Sequence, residues 1–306
     1  MNLSVQLAPE NKRGLLLSNP VMTASGTFGY GDEYGSLIDI QKLGAIICKG
    51  TTLEPRDGNL QPRVCETGGG MLNAIGLQNI GVEALIKEKA PQWEKWHVPV
   101  IVNIAGRNIE DYAKLAAILD GVAGVSGLEV NISCPNVKAG GVEFGNNPAS
   151  ASAVTLSVRK ATTLPVIVKL TPNVGDIKSI ALAVEEAGAD AVSLINTLRG
   201  MAIDINKKKP LLGNVTGGLS GPAVKPVALS MVYETAGVVK IPVIGCGGIA
   251  TGRDAIEFLM AGATAVQVGT ATFVNPHAPL DVIDGIKDFM SKKGIDNISK
   301  LIGSAR

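Results

Sequence analysis

Residues Gly127–Asn136 read GLEVNISCPN. Leu128, Val130 and Ile132 alternate with other side chains as in a buried strand. The strand then delivers Asn131, Ser133, Cys134 and Asn136 to a point where a loop begins, and Pro135 and the glycine-rich GGVEFG of Gly140–Gly145 follow. Amides and a thiol just past a strand, ahead of a loop built to move, point to chemistry, with Cys134 as the catalytic acid/base. The competing reading of Cys134 is a small buried hydrophobe, the usual fate of a free cysteine.

The same pattern of a buried run, a polar residue at its end and a helical segment recurs on both sides. The runs are Val21–Ala24, Ala45–Lys49, Val100–Ile104, Leu128–Ile132, Val166–Leu170, Ala191–Asn196, Val243–Cys246 and Ala265–Gly269. Between them lie candidate helices at Ile109–Leu119, Ala149–Lys160, Ile177–Ala187, Ala223–Thr235, Gly252–Met260 and Leu280–Lys292, several ending in the AG or KG of a helix stop. Continuous apolar strands alternating with helices predict a parallel sheet covered by helices. Eight such units favour a single TIM (β/α)8 barrel domain over residues 1–306. No GxGxxG opens the first helix, which argues against an open dinucleotide-binding sheet. Leu3–Leu7 and Leu15–Leu17 read as an N-terminal hairpin plugging the barrel bottom. Three connections, Gly50–Val82, Pro135–Pro148 and Thr197–Pro222, are long βα loops on the catalytic face.

Composition narrows the class. The 306 residues are 46% hydrophobic with net charge +1 and only 4% aromatic. No basic tract extends beyond Lys207–Lys209, which reads as a solvated loop face, so no nucleic-acid surface is expected. No apolar run is long enough to span a membrane, and the N-terminus lacks the core of a signal peptide. The four cysteines, at 48, 65, 134 and 246, make no CxxC pair, and with two histidines they offer no metal ligand set. That usage suits a reducing, cytoplasmic compartment. Cys48 and Cys246 read as packing residues, Cys65 as an exposed thiol without a role, and Trp93 and Trp96 as surface or interface anchors on a helix.

The strand ends carry the functional argument. The second to sixth strands end in Lys49, Asn103, Asn131, Lys169 and Asn196, where apolar side chains would ordinarily fill the barrel. Five polar groups aimed at one mouth need a polar ligand to offset their desolvation. Two ammoniums and three amides suit a planar heterocycle with carbonyls and ring nitrogens. After the last two strands, IGCGGI (Ile244–Ile249) and QVGTA (Gln267–Ala271) leave backbone N–H groups to surround a phosphate, with Gly221 of GLSGP as a further close approach. Tight turns are the plain alternative for these glycines. A phosphate pocket beside that platform suggests a phosphorylated flavin, with Lys169 near its pyrimidine end and Ala24, Ser25 and Gly26 packing against the ring. NAIGLQN (Asn73–Asn79), Asn131, Cys134, Asn136, Asn196 and Thr197 are left to hold substrate.

These residues resemble the class 1 dihydroorotate dehydrogenases, and within them the 1B catalytic subunits. The resemblance rests on NPVMTASGTFGYG, Lys49–Gly50, NAIGLQN, NISCPNVKAGG, VIVKLTPN, INT at Ile195–Thr197, TGGLSGP, GCGGI and VGT. It implies a barrel holding FMN that oxidises (S)-dihydroorotate to orotate in pyrimidine biosynthesis. Carried over, Cys134 is the base and Lys49 touches both flavin and substrate. Asn73, Ala74, Ile75, Gly76, Leu77, Asn131, Asn136, Asn196 and Thr197 bind substrate. Ser25, Gly50, Asn103, Asn131, Lys169, Ile195, Gly221, Gly247, Gly248, Gly269 and Thr270 bind FMN. The 1B type further implies a homodimeric core joined to a second subunit carrying FAD and a [2Fe–2S] cluster, a heterotetramer passing electrons to NAD+. The rivals are a fumarate-dependent class 1A enzyme and a cofactor-free phosphosugar isomerase or lyase on the same barrel.

Overall fold

The structure, a computed structural model, describes residues 1–133 and 144–306. Eight strands form one parallel sheet: β1 (Val21–Thr23), β2 (Ile46–Ile47), β3 (Val100–Ile104), β4 (Gly127–Asn131), β5 (Val166–Lys169), β6 (Ala191–Leu194), β7 (Val243–Cys246) and β8 (Ala265–Val268). Their order is β1-β8-β7-β6-β5-β4-β3-β2. A bridge between Met22 and Ala45 closes the ring, with Gly44 N donating to Val21 O at 2.8 Å. Closure needs glycine at 44, because a β-carbon there would stand 2.1 Å from Asn19 O. All eight expected strands are present; those expected to end in Lys49 and Asn196 stop short, leaving these two residues in the loops.

Alternation divides each strand between two environments. Leu128 and Val130 of β4 are fully buried in the main apolar core, as are Val102 of β3 and Val168 of β5. Glu129, of opposite parity, bonds to side chains of β3, β6 and β8, which only the barrel interior connects. The helices Ile109–Leu119 and Gly252–Met260 match their expected bounds. Asn108 caps the first, and Thr251 with Asp254 forms a capping box on the second. Below the barrel, Val5–Gln6 pairs antiparallel with Leu16–Leu17. Asn11 reaches from this hairpin to Asp190, just before β6, so it closes the N-terminal end as expected.

The long loops are not structureless. The loop after β2 contains the hairpin Val64–Thr67/Gly70–Asn73, and the loop after β6 contributes Leu198–Gly200 and Gly217–Ser220. Together they make one four-stranded sheet at the mouth, joined at Gly218↔Asn73, Leu219↔Leu72 and Ser220↔Met71. The third long loop lies mostly outside the described residues. Among the described residues no helix is long and apolar enough to cross a membrane.

One expectation is corrected here. The stretch after the second loop forms short helices at Val82–Glu88 and Ala90–Trp93, too brief to give a periodic signal. Trp93 is not a surface anchor: it is 2% exposed and its Nε1 donates to Tyr30 O at 3.0 Å. Trp96 is half-buried, with its ring 3.0 Å from where a β-carbon on Gly31 would lie. Trp93→Ala should therefore cost about 3–5 kcal/mol, the range for emptying a large core site. Chemical denaturation of the purified variant checks this, and an unchanged midpoint would restore the surface reading.

Candidate active site

The strands end around one cleft of about 2020 Å³ at the C-terminal face. Lys49, Asn103, Asn131, Lys169 and Asn196 all line it, so the five polar strand ends meet as the sequence predicts. Asn131 and Asn196 are locked together. Asn131 Oδ1 accepts from Ser133 N and from Asn196 Nδ2, both at 3.2 Å, and Asn196 Oδ1 accepts from Thr197 N at 2.8 Å. Tyr112 supports them from the helix layer, its hydroxyl donating to Asn131 O at 2.8 Å. These bonds hold the amide planes at fixed angles, the preorganisation that orients a bound heterocycle.

The two lysines differ. Lys169 is 4% exposed, donates to Gln267 Oε1 at 3.0 Å and stands 3.6 Å from Glu129 Oε1. Burial works to lower its pKa, but the Glu129 carboxylate, helped by Cys246, outweighs burial and raises it, so the ammonium persists. Lys49 is half-buried, and among the described residues no ion pair under 4 Å holds it. Burial pulls its pKa down, Glu33 opposes, and Arg63 adds to the fall. Lys49 is thus an ammonium held ready for an anionic partner.

Across the cleft lies a cradle of glycines. Gly221, Gly247 and Gly248 have φ of +96°, +125° and +75°. A β-carbon on Gly248 would stand 2.6 Å from Lys225 Cβ, and one on Gly221 would stand 2.7 Å from Gly70 Cα. Lys225 in turn is clamped by Asp254 and Glu257 at 2.6 and 2.7 Å, which fixes the backbone behind the cradle. Gly269 and Thr270 complete the wall, with Thr270 Oγ1 bonded to Ser220 Oγ at 2.8 Å. Ala24, Ser25, Gly26, Gly50 and Ile195 line the floor between cradle and lysines.

The loop over the mouth brings Asn73, Ile75, Gly76 and Leu77 to the cleft, with Thr197 facing them. Leu77 holds a left-handed φ of +56°, an uncommon conformation for leucine that concentrates at binding loops. Arg63 fixes this loop through Asn59 O, Asp57 O and Gln78 Oε1. Ala74 does not line the cleft; it is fully buried against Leu72 and Leu212, just past the end of the strand Gly70–Asn73. Cys134 and Asn136 lie outside the described residues. Cys48 and Cys246 are buried, and burial raises both thiols, Cys48 to about 12, which agrees with a packing role. Cys65 is half-buried beside the Leu72 cluster, so it packs where an exposed thiol was expected.

Sequence reasoning missed Glu129, Ser193 and Gln267. All three are fully buried and polar, and Glu129 shares the inward parity of Asn131 on the same strand. That parity was the available signal: Glu129 lies two positions before Asn131 on one strand.

The model of the dihydroorotate dehydrogenase family matches residues 9–290. The chain belongs to that family. Among its dihydroorotate dehydrogenase relatives, the catalytic subunit of the B (NAD(+)) enzyme of Thermoanaerobacter sp. (strain X514) is 56% identical over 306 residues, covering 100% of this chain and 99% of the relative. The same subunit of Alkaliphilus oremlandii (strain OhILAs) is 56% identical over 302 residues, 99% and 98% of the two chains. That of Geobacter sp. (strain M21) is 55% identical over 291 residues, 95% of each. The resemblance to the 1B type is borne out by these relatives.

Lys49 yields a prediction that needs no ligand. Its folded pKa lies below the ordinary 10.5, so folding at neutral pH carries the cost of a partly buried ammonium. The unfolded chain keeps this proton to higher pH than the folded one, so that cost shrinks as pH rises toward 10.5. Lys49→Met should raise the thermal midpoint of the ligand-free protein near neutral pH, and the gain should fade in alkali. Melting curves across that range check it, and a gain independent of pH would refute the electrostatic cause.

Proposed function

We propose that this dihydroorotate dehydrogenase oxidises (S)-dihydroorotate to orotate on a bound FMN and passes the electrons to NAD+ through a partner subunit. What carries the reading is the convergence of Lys49, Asn131, Asn196, Thr197 and Asn73 on one cleft that also holds the glycine cradle. The cradle fits a phosphate: its positive-φ glycines, packed too closely on Gly70, Ala228 and Lys225 to carry a β-carbon, turn backbone N–H groups of the kind that surround an anion. The floor fits an isoalloxazine edge, since Asn103 Oδ1 is buried without a hydrogen-bond partner among the described residues and Lys169 offers an ammonium nearby.

When bound, FMN supplies the electron acceptor. The chain's own residues do the rest. Lys49, unpaired by any carboxylate among the described residues, takes the substrate's carboxylate, while Asn73, Asn131, Asn136, Asn196 and Thr197 read its carbonyl and N–H edges. Ile75, Gly76 and Leu77 cover it and exclude water. Cys134 would remove the C5 proton of the substrate. Its thiol titrates near ~8.5 when unperturbed, so turnover should rise with pH through that range as thiolate forms. In the assembly, a homodimeric core pairs with a subunit carrying FAD and a [2Fe–2S] cluster, forming a heterotetramer.

Anaerobic addition of dihydroorotate to the yellow protein should bleach the flavin. NAD+ should restore the colour only with the partner subunit present, and fumarate should not. A colourless protein that cannot be loaded with FMN overturns the reading, and reoxidation by fumarate would move it to class 1A. Cys134→Ser should retain FMN and orotate binding but reduce flavin about 10²-fold or more slowly, the scale of losing a general base. Stopped-flow absorbance at neutral pH measures it, and undiminished reduction would take the base role from Cys134.

A further inference from the structure

Glu129 is 0% exposed at the centre of β4. Its Oε1 accepts from Asn103 Nδ2 at 2.7 Å, and its Oε2 accepts from Gln267 Nε2 at 2.7 Å and Ser193 Oγ at 3.0 Å. Lys169 Nζ stands 3.6 Å from Oε1. A carboxylate can only accept, so it decides which way its amide neighbours face. Asn103 must give its nitrogen to Glu129, which leaves Oδ1 toward Gly50 at the cleft, buried and unpartnered among the described residues. Gln267 must do the same, which frees its Oε1 to take the Lys169 ammonium at 3.0 Å.

Packing alone does not require this arrangement. A buried ion pair adds little net stability over a neutral filler of the same shape. Four strands nevertheless each contribute one polar side chain to this carboxylate, and two of those side chains, Asn103 and Lys169, also line the cleft. The carboxylate does not itself line the cleft, so it acts on a ligand only through them.

We propose that Glu129 is a positioning residue for the redox centre: it makes the cleft floor present one bare acceptor, Asn103 Oδ1, and one ammonium, Lys169 Nζ, to the polar edge of the flavin. The ligand chemistry it selects is a planar ring edge carrying an N–H donor beside an atom that gains negative charge on reduction. This rests on the flavin reading above.

Glu129→Gln tests it with almost no change in volume. The new carboxamide keeps one acceptor oxygen and adds two N–H donors, so it cannot serve Asn103, Gln267 and Ser193 together, and one amide must turn. FMN should dissociate about tenfold more readily, the loss of one good hydrogen bond, and the bound flavin's midpoint potential should move from the wild-type value. The exchange variant Glu129→Gln/Gln267→Glu should reverse both changes. In it the carboxamide at 129 accepts from Asn103 and donates to the new carboxylate at 267, which pairs directly with Lys169.

Spectroelectrochemistry and FMN titration of the three proteins decide the matter. A displaced potential in Glu129→Gln that returns in the exchange variant supports the proposal. Wild-type affinity and potential in Glu129→Gln, or no recovery on exchange, overturn it. Should Glu129→Gln fail to fold, an exchange variant that folds with a near-wild-type potential still supports it. Failure of both to fold assigns Glu129 to packing and overturns it. Wild-type protein that takes up no FMN removes the flavin reading and this inference together, whereas defects confined to the variants strike this inference alone.

Discussion

A carboxylate sealed inside a barrel must be compensated, and the Glu129–Lys169 pair sets the terms for everything above it. Isolated, either charge would be expelled or neutralised, since desolvation in so dry a place far exceeds any packing gain. Asn103, Ser193 and Gln267 make the pair tolerable by supplying hydrogen bonds from three further strands. The lower interior and the outer faces of the strands follow the ordinary rule of branched apolar side chains. The change from apolar to polar interior coincides with the change from scaffold to binding surface.

The fold was legible because its signals were local and repeated. Runs such as VIVNI and VIVKL could only be buried parallel strands, and capped helices such as Ile109–Leu119 announced both ends. The strand-end amides and lysines were equally visible, because a polar residue closing an apolar run stands out from its neighbours. The sequence reading fell short where meaning depended on distant partners. Glu129 shares the parity of Asn131, two positions on, but the partners that give it meaning lie on β3, β6 and β8 and are distant in sequence. Trp93 looked exposed because its helix is a single turn, and its burial comes from the Tyr30 loop, far away in sequence. Ala74 was carried along with a motif whose other members face the cleft, while its own methyl packs on Leu212.

The two lysines illustrate how one residue type serves two purposes on neighbouring strands. Lys169 is already paired with Gln267 and Glu129 before any ligand arrives, so its charge is a fixed part of the floor. Lys49 has no carboxylate within ion-pairing range among the described residues, and the protein bears the cost of its desolvation. A permanent charge suits a resident cofactor, and an uncompensated one suits a ligand that comes and goes.

The ladder linking Gly217–Ser220 to Gly70–Asn73 fuses two insertions that leave opposite sides of the barrel. Slipping that ladder by a single residue would reverse which side chains meet the cavity across both insertions at once. Neither segment is then free to drift in length on its own. Variation in what the mouth accepts is channelled into side-chain exchange at a constant backbone frame, and the two halves of the roof must hinge as one plate.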